Sequence, residues 1–270
     1  MFKNITIGQY IAGNSPVHRT DARLKIIIVL LLIVLLFMFS SVGAYALFII
    51  CAISFIILSK VPLFYFLKGL RPMLFIILFT VVLNLFLTPG EVLWSQKLYF
   101  FTLKITDEGV RLSILMFLRL TLLVTLSSLL TLTTSPMQLT DGIEHLLRPL
   151  RIFKVPSHEI AMMMSIAIRF IPTFAEETDK IIKAQTARGA DFESGNLIMR
   201  AKAMIPLLVP LFVSAFRRAD ELATAMDSRC YNGGKNRTRM KQMKIKPLDI
   251  KIICIFVVFV ALLILCEYAF

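Results

Sequence analysis

Two stretches decide how this chain is built: Ile160–Phe174 (IAMMMSIAIRFIPTF) and Ala203–Phe216 (AMIPLLVPLFVSAF). If both cross a membrane, the chain has seven spans. If both lie outside the hydrocarbon, it has about five spans and a separate helical domain. Each run is about 14–15 residues long, whereas a spanning helix needs roughly 17–25 apolar residues. Arg169 and Pro172 interrupt the first run, and Pro206 and Pro210 the second. The length argument selects the non-spanning reading. The balanced charge of Glu176–Lys202 keeps the seven-span alternative open.

Each run is the apolar half of a longer helix. The first leads into Glu176-Glu177-Thr178-Asp179-Lys180 and the second into Arg217-Arg218-Ala219-Asp220-Glu221. Glu176 and Lys180, Asp179 and Lys183, and Arg217 and Glu221 are spaced to share a helix face. The helices then end alike, at Ala187-Arg188-Gly189 and Ser228-Arg229-Cys230. A basic residue in a last turn complements the helix dipole, and a following glycine is an ordinary left-handed stop. That explains one such motif without function. A second arginine at the same place on a second long helix argues for two arginines held out towards a partner.

Outward from this region the chain is apolar. It is 57% hydrophobic with a mean hydropathy of +0.79. Ile26–Phe39 is continuously apolar, which excludes the period-two pattern of a membrane barrel strand. It forms an expected hairpin of spans with Leu47–Leu58, turning at Ser41-Val42-Gly43. The long polar leader argues against a signal peptide, although Ala44-Tyr45-Ala46 imitates a cleavage site. An amphipathic link, Leu63–Leu70, precedes a third span at Pro72–Leu87. A loop with a short hairpin around Lys97–Ile105 leads to a fourth span, Gly109–Thr134. Ser135-Pro136 starts an amphipathic helix over Met137–Leu147, with Glu144 four residues before Arg148. Cys230–Pro247 reads as a basic tether, and Leu248–Leu265 as the last span.

The fold class expected is therefore all-α: a polytopic membrane protein with about five transmembrane helices and a cytoplasmic domain of amphipathic coupling helices. Its domains are 1–134 (leader and four spans), 135–247 (coupling domain) and 248–270 (last span). The basic leader and the Lys60–Arg71 link place the N-terminus in the cytoplasm under the positive-inside rule. The net charge of +13 fits this rule. It does not indicate nucleic acid, because no basic patch is interleaved with aromatics.

Catalytic chemistry has no visible residues: no Ser/His/Asp, His-Glu-x-x-His or paired-carboxylate arrangement occurs. Cys51, Cys230, Cys254 and Cys266, with His18, His145 and His158, show no metal-ligand spacing. Gly233-Gly234-Lys235-Asn236 imitates a phosphate loop but lacks its first glycine and its Ser/Thr. No cofactor is expected on this chain. Arg119 lies mid-span, where a charge is costly; a functional role and a structural bond to a neighbouring helix both stand. Met162, Met163 and Met164, with Ile166 and Phe170, read either as core or as an adaptable apolar surface for a partner.

Several motifs carry a resemblance that covers nearly the whole length. They are Gly13-Asn14-Ser15-Pro16-Val17-His18-Arg19-Thr20-Asp21-Ala22-Arg23-Leu24-Lys25, Thr133-Thr134-Ser135-Pro136, Arg169-Phe170-Ile171-Pro172, Ala184-Gln185 before Ala187-Arg188-Gly189, and Ala225-Met226 before Ser228-Arg229-Cys230-Tyr231. The chain resembles EcfT, the transmembrane scaffold family of energy-coupling factor (ECF) vitamin transporters, a branch of the ABC transporters. The last motif departs from the family pattern, with Ser228 for alanine and Cys230 for glycine. The resemblance implies a bacterial or archaeal cell membrane location. It also implies that Arg188 and Arg229 dock into two ABC-type ATPase subunits, which use ATP and Mg²⁺. A small membrane protein, the S-component, would then capture the vitamin, with Met162–Met164, Ile166 and Phe170 as its contact. Which vitamin is carried is not encoded in these residues. The rival from another class is a self-sufficient channel or secondary carrier. The first four spans contain no carboxylate of the kind that coupled carriers use.

Overall fold

The computed structural model describes residues 10–98, 101–153, 156–192, 196–233 and 246–269. Most of the basic tether expected at Cys230–Pro247 lies outside them. The chain divides into two compact units, one built from Gly8–Gly142 with Met243–Phe270, the other from Ile143–Gln242.

In the first unit, α1 (Pro16–Arg19) and α2 (Ala22–Met38) follow the leader, and α3 (Val42–Ser59) turns back along α2. Asp21 caps α2 through the Arg23 N–H (2.9 Å), and Ser41 caps α3 through the Ala44 N–H (3.3 Å). Val42 and Gly43, expected in the turn, are already helical. The cap moves the break one step earlier, to Phe39–Ser41. The short α4 (Leu63–Leu70) has the bounds expected for the link, and a 3₁₀ turn at Arg71–Met73 feeds α5 (Leu74–Leu87). The expected hairpin is present as β1 (Val92–Leu98) and β2 (Phe101–Thr106), antiparallel, with a register irregularity between Val92 and Trp94. Then come α6 (Asp107–Thr133) and, at the chain's end, α10 as numbered in chain order (Pro247–Ala269).

The start of α6 is tied down tightly. Thr106 Oγ1 accepts the Gly109 N–H at 3.0 Å and donates to the Thr88 carbonyl at 2.9 Å. A side chain at Gly109 would sit 3.0 Å from the Leu85 carbonyl oxygen, so glycine allows this close approach of α5 and α6. Asp107 and Glu108 suit the positive end of the helix dipole.

The interior of this unit is a seam of Leu32, Leu36, Tyr45, Phe48, Leu126 and Leu263. The opposite faces are equally apolar and exposed, for example Leu30, Ile50, Phe75 and Leu78. A surface of that kind is expected where the surroundings are lipid chains rather than water. Among the described residues, five helices are long and apolar enough to cross a membrane: Val42–Ser59, Leu63–Leu87, Asp107–Thr133, Ile198–Asp227 and Pro247–Tyr268. The count matches expectation, but the membership differs. The helix over Ile26–Phe39 is 17 residues long, or roughly 26 Å at ~1.5 Å per residue, so it falls at the lower limit. Ile198–Asp227 qualifies because the apolar residues on both sides of Pro206 and Pro210 belong to one unbroken helix, with a mean hydropathy of 1.6 over its most apolar stretch.

The second unit contains α8 (Ser157–Ala187) and α9 (Leu197–Asp227), each 31 residues long. The last turns of α7 (Pro136–Leu147) and a 3₁₀ segment at Arg148–Phe153 precede them. Pro172 lies inside α8, and Pro206 and Pro210 inside α9, without ending either helix. As the sequence leads one to expect, each apolar run is one half of a longer helix that continues past its prolines to the arginine motif. Apolar length and helical length differ twofold here.

Candidate functional site

The two long helices end in the same backbone geometry. At the end of α8, Gly189 is left-handed (φ 87°). Its N–H reaches the Thr186 carbonyl at 2.9 Å, and the Ala190 N–H reaches Gln185 at 3.0 Å. At the end of α9, Cys230 is left-handed (φ 57°). Its N–H reaches Asp227 at 2.9 Å, and the Tyr231 N–H reaches Met226 at 3.0 Å. Both are Schellman stops, which use carbonyls that a helix end would otherwise leave unpaired. The non-glycine residue in the second motif changes its cost but not its shape. In each case the residue just before the stop is the expected arginine. Ala187, Arg188, Gly189, Ser228, Arg229 and Cys230 are all exposed.

α8 and α9 pack against one another through Arg218, which donates to Glu177 at 3.2 Å and lies over Phe174. Arg217 pairs with Glu221 at 3.1 Å, as its spacing predicts. Glu176–Lys180 and Asp179–Lys183 are not among the ion pairs of the described residues; the carboxylate used across the helix pair is Glu177. Glu144 meets His158 at 3.2 Å.

The end of α9 and the first half of α8 enclose an open cleft of about 630 Å³. Met162, Ile166 and Phe170 line it together with Arg229 and Cys230. The expected apolar contact surface and the second arginine motif are thus brought together. Met163 and Met164 are exposed and are not among the cleft's lining. Arg188 does not line it either.

Arg119, in the other unit, is held by Tyr45. Its Nε donates to the Tyr45 hydroxyl at 2.8 Å, and its guanidinium lies 5.3 Å from the Phe37 ring centre. The structural reading of this residue has a definite partner.

The leader motif contains contacts that sequence spacing does not reveal. Lys25 Nζ donates to the Thr133 carbonyl at 2.9 Å and to Thr134 Oγ1 at 3.3 Å. The Ile11 N–H takes the neighbouring Leu132 carbonyl at 3.0 Å. Together they satisfy the end of α6. The fully buried Asp249 accepts from the Asp21 N–H at 3.1 Å and from the Lys246 N–H at 2.7 Å, capping α10. His18 Nε2 faces the Ile11 carbonyl at 2.9 Å, so that nitrogen carries the proton; Nδ1 then accepts from Ser15 Oγ at 2.7 Å. Burial holds the His18 imidazole below its ordinary value of 6.5; the Ile11 carbonyl opposes this and Lys25 adds to it. A side chain at Gly13 would sit 2.9 Å from the His18 ring.

The family described as cobalt transport protein (CbiQ) matches residues 13–240. A relative from Ruminiclostridium cellulolyticum, an energy-coupling factor transporter transmembrane protein EcfT, is 52% identical over 270 residues, covering all of both chains. Proteins of the same name from Thermosediminibacter oceani and Bacillus subtilis are 56% identical over 248 residues and 46% over 263. The first covers 92% of each chain, and the second 97% of this chain and 98% of its own. This chain belongs to the EcfT family. It is a multi-pass bacterial membrane protein and a transmembrane component of an energy-coupling factor transporter. The leader residues shared with the EcfT signature now have physical roles: Ser15 and His18 fix the first turn, Asp21 caps, and Lys25 closes the end of α6.

Proposed function

We propose that this chain couples ATP hydrolysis by two ABC-type ATPase subunits to a membrane S-component that captures a vitamin. The observation that carries this reading is the repeated end of α8 and α9, an exposed arginine followed by a left-handed stop. A Schellman end fixes the direction in which the chain leaves the helix, so each arginine is presented in a defined place. Arginine suits a docking role because its planar fork bonds a carboxylate bidentately. In this reading residues 135–247 form the coupling domain, on the cytoplasmic side with the N-terminus. ATP and Mg²⁺ are used by the partner subunits. The exposed Met163 and Met164, which do not line the Arg229 cleft, support an adaptable contact for the S-component.

The experiment is pull-down of both ATPases, with vitamin uptake in vesicles, for Arg188→Ala, Arg229→Ala and the double variant. Each single change should weaken one ATPase contact, and the double change should release both subunits or uncouple hydrolysis from uptake. A buried charged contact at an interface is worth roughly 2–5 kcal/mol on truncation. Full uptake by the double variant would reduce both motifs to helix stops. In a cysteine-free background, Ala187→Cys and Ser228→Cys should react with an impermeant reagent only from the cytoplasmic side. Labelling of residue 187 from outside would make α8 and α9 spans and end the coupling-domain reading.

A further inference from the structure

The cleft beside Arg229 has a composition that one arginine motif does not account for. Both Arg169 and Arg229 line it, and no Asp or Glu does. Neither arginine forms an ion pair among the described residues. Arg169 interrupts the apolar half of α8, where an uncompensated cation gains nothing from packing. Ser165 and Asn232 add polar groups, and Leu222 and Met226 add apolar wall. A volume of about 630 Å³ holds several side chains rather than a single ion. Two arginines lining one recess, among apolar residues, complement a carboxylate carried between apolar residues.

We infer that Arg169 is the second cation of the Arg229 seat, and that the cleft receives an acidic side chain with its apolar neighbours from one ATPase subunit. This rests on the coupling reading above. Continuity with the Arg229 motif selects the ATPase as occupant over the S-component or a lipid headgroup. The two motifs are then unequal: Arg188 acts alone, whereas Arg229 is half of a two-cation seat. Arg169 positions the incoming carboxylate.

The test uses the full transporter complex, purified through a tag on this chain. Cys230 is exposed and lines the cleft, so its alkylation by N-ethylmaleimide, read peptide by peptide, reports occupancy. In the wild-type complex Cys230 should react at least about ten-fold more slowly than in the isolated chain. Arg169→Glu should release one ATPase subunit, keep the other and restore Cys230 reactivity, with Arg169→Gln intermediate. Ser165→Glu, which leaves both arginines in place, should release the same subunit. Retention of both ATPases by Arg169→Glu and Ser165→Glu overturns the inference. So does loss of the S-component with both ATPases kept, or loss of bound phospholipid phosphorus alone. The Arg188→Ala/Arg229→Ala variant separates the two levels. If it keeps both ATPases, the coupling reading itself falls; if it loses both while Arg169→Glu keeps both, only the seat falls.

Discussion

Arg218 of α9 donates from Nη2 to Glu177 Oε2 of α8 at 3.2 Å and lies 5.8 Å from the Phe174 ring centre. One side chain thus makes both the polar and the aromatic contact between the two long helices. Both partners of the ion pair are partly exposed, so its own worth is modest. Exposed pairs give about 0.2–1 kcal/mol, and a cation over an aromatic ring adds about 0.5–1 kcal/mol.

A double-mutant cycle on Glu177→Gln and Arg218→Met should therefore return a coupling energy of about 0.2–1 kcal/mol. Arg218→Met alone should cost more than Glu177→Gln, because it also loses Phe174. Thermal unfolding in detergent measures both. Equal costs for the two single variants would mean that the ring contact contributes nothing.

Cys230 occupies a left-handed backbone position that glycine adopts without strain. Cys230→Gly should stabilise the chain by about 1 kcal/mol, and Gly189→Ala should destabilise it by about 1–2 kcal/mol. Chemical denaturation of the purified protein checks the two signs. Stabilisation by Gly189→Ala would contradict the Schellman geometry at that end.

Tyr45→Phe should remove the oxygen that Arg119 bonds, costing about 0.6 kcal/mol and at most about 1.7 for a contact between membrane helices. Pull-down of the ATPases should be unchanged, since Arg119 lies in the other unit. Lost uptake at unchanged stability would instead give Arg119 a direct part in transport.

Much of this was legible in the sequence, for reasons that particular residues make plain. The start of Leu63–Leu70 and the start of α8 at Ser157 follow from the prolines just before them, Pro62 and Pro156, which act locally. The Gly189 stop is equally local. The length of α9 was legible as well: Pro206 and Pro210 look like breaks, yet the polar run Arg217–Glu221 and the Arg229 motif beyond it carry the helix past both. The clamp on α6 was hidden. Lys25 and Thr133 are 108 positions apart, and Asp21 and Asp249 are 228 apart, distances at which no periodicity connects two residues. The cleft that unites Arg169 with Arg229 required knowing which half of α8 meets the end of α9.

The buried His18 supplies the pH dependence. Its value in the folded chain lies below 6.5, so the unfolded chain binds a proton first as pH falls. The stabilisation is present above about 6.5 and is lost as pH falls through the folded value. The unfolding midpoint should drop between pH 7.5 and 5, and His18→Gln should flatten that segment of the curve. A midpoint that rose on acidification, and did so only with His18 present, would reverse the assignment.

The Asp21 N–H finds its carboxylate on Asp249, 228 positions later. During synthesis the leader emerges from the ribosome early, and the group that completes it emerges near the end. Until α10 arrives, Asp21 lacks this acceptor. A nascent chain arrested before Asp249 should expose a leader that protease cuts readily, and release of the full chain should protect it.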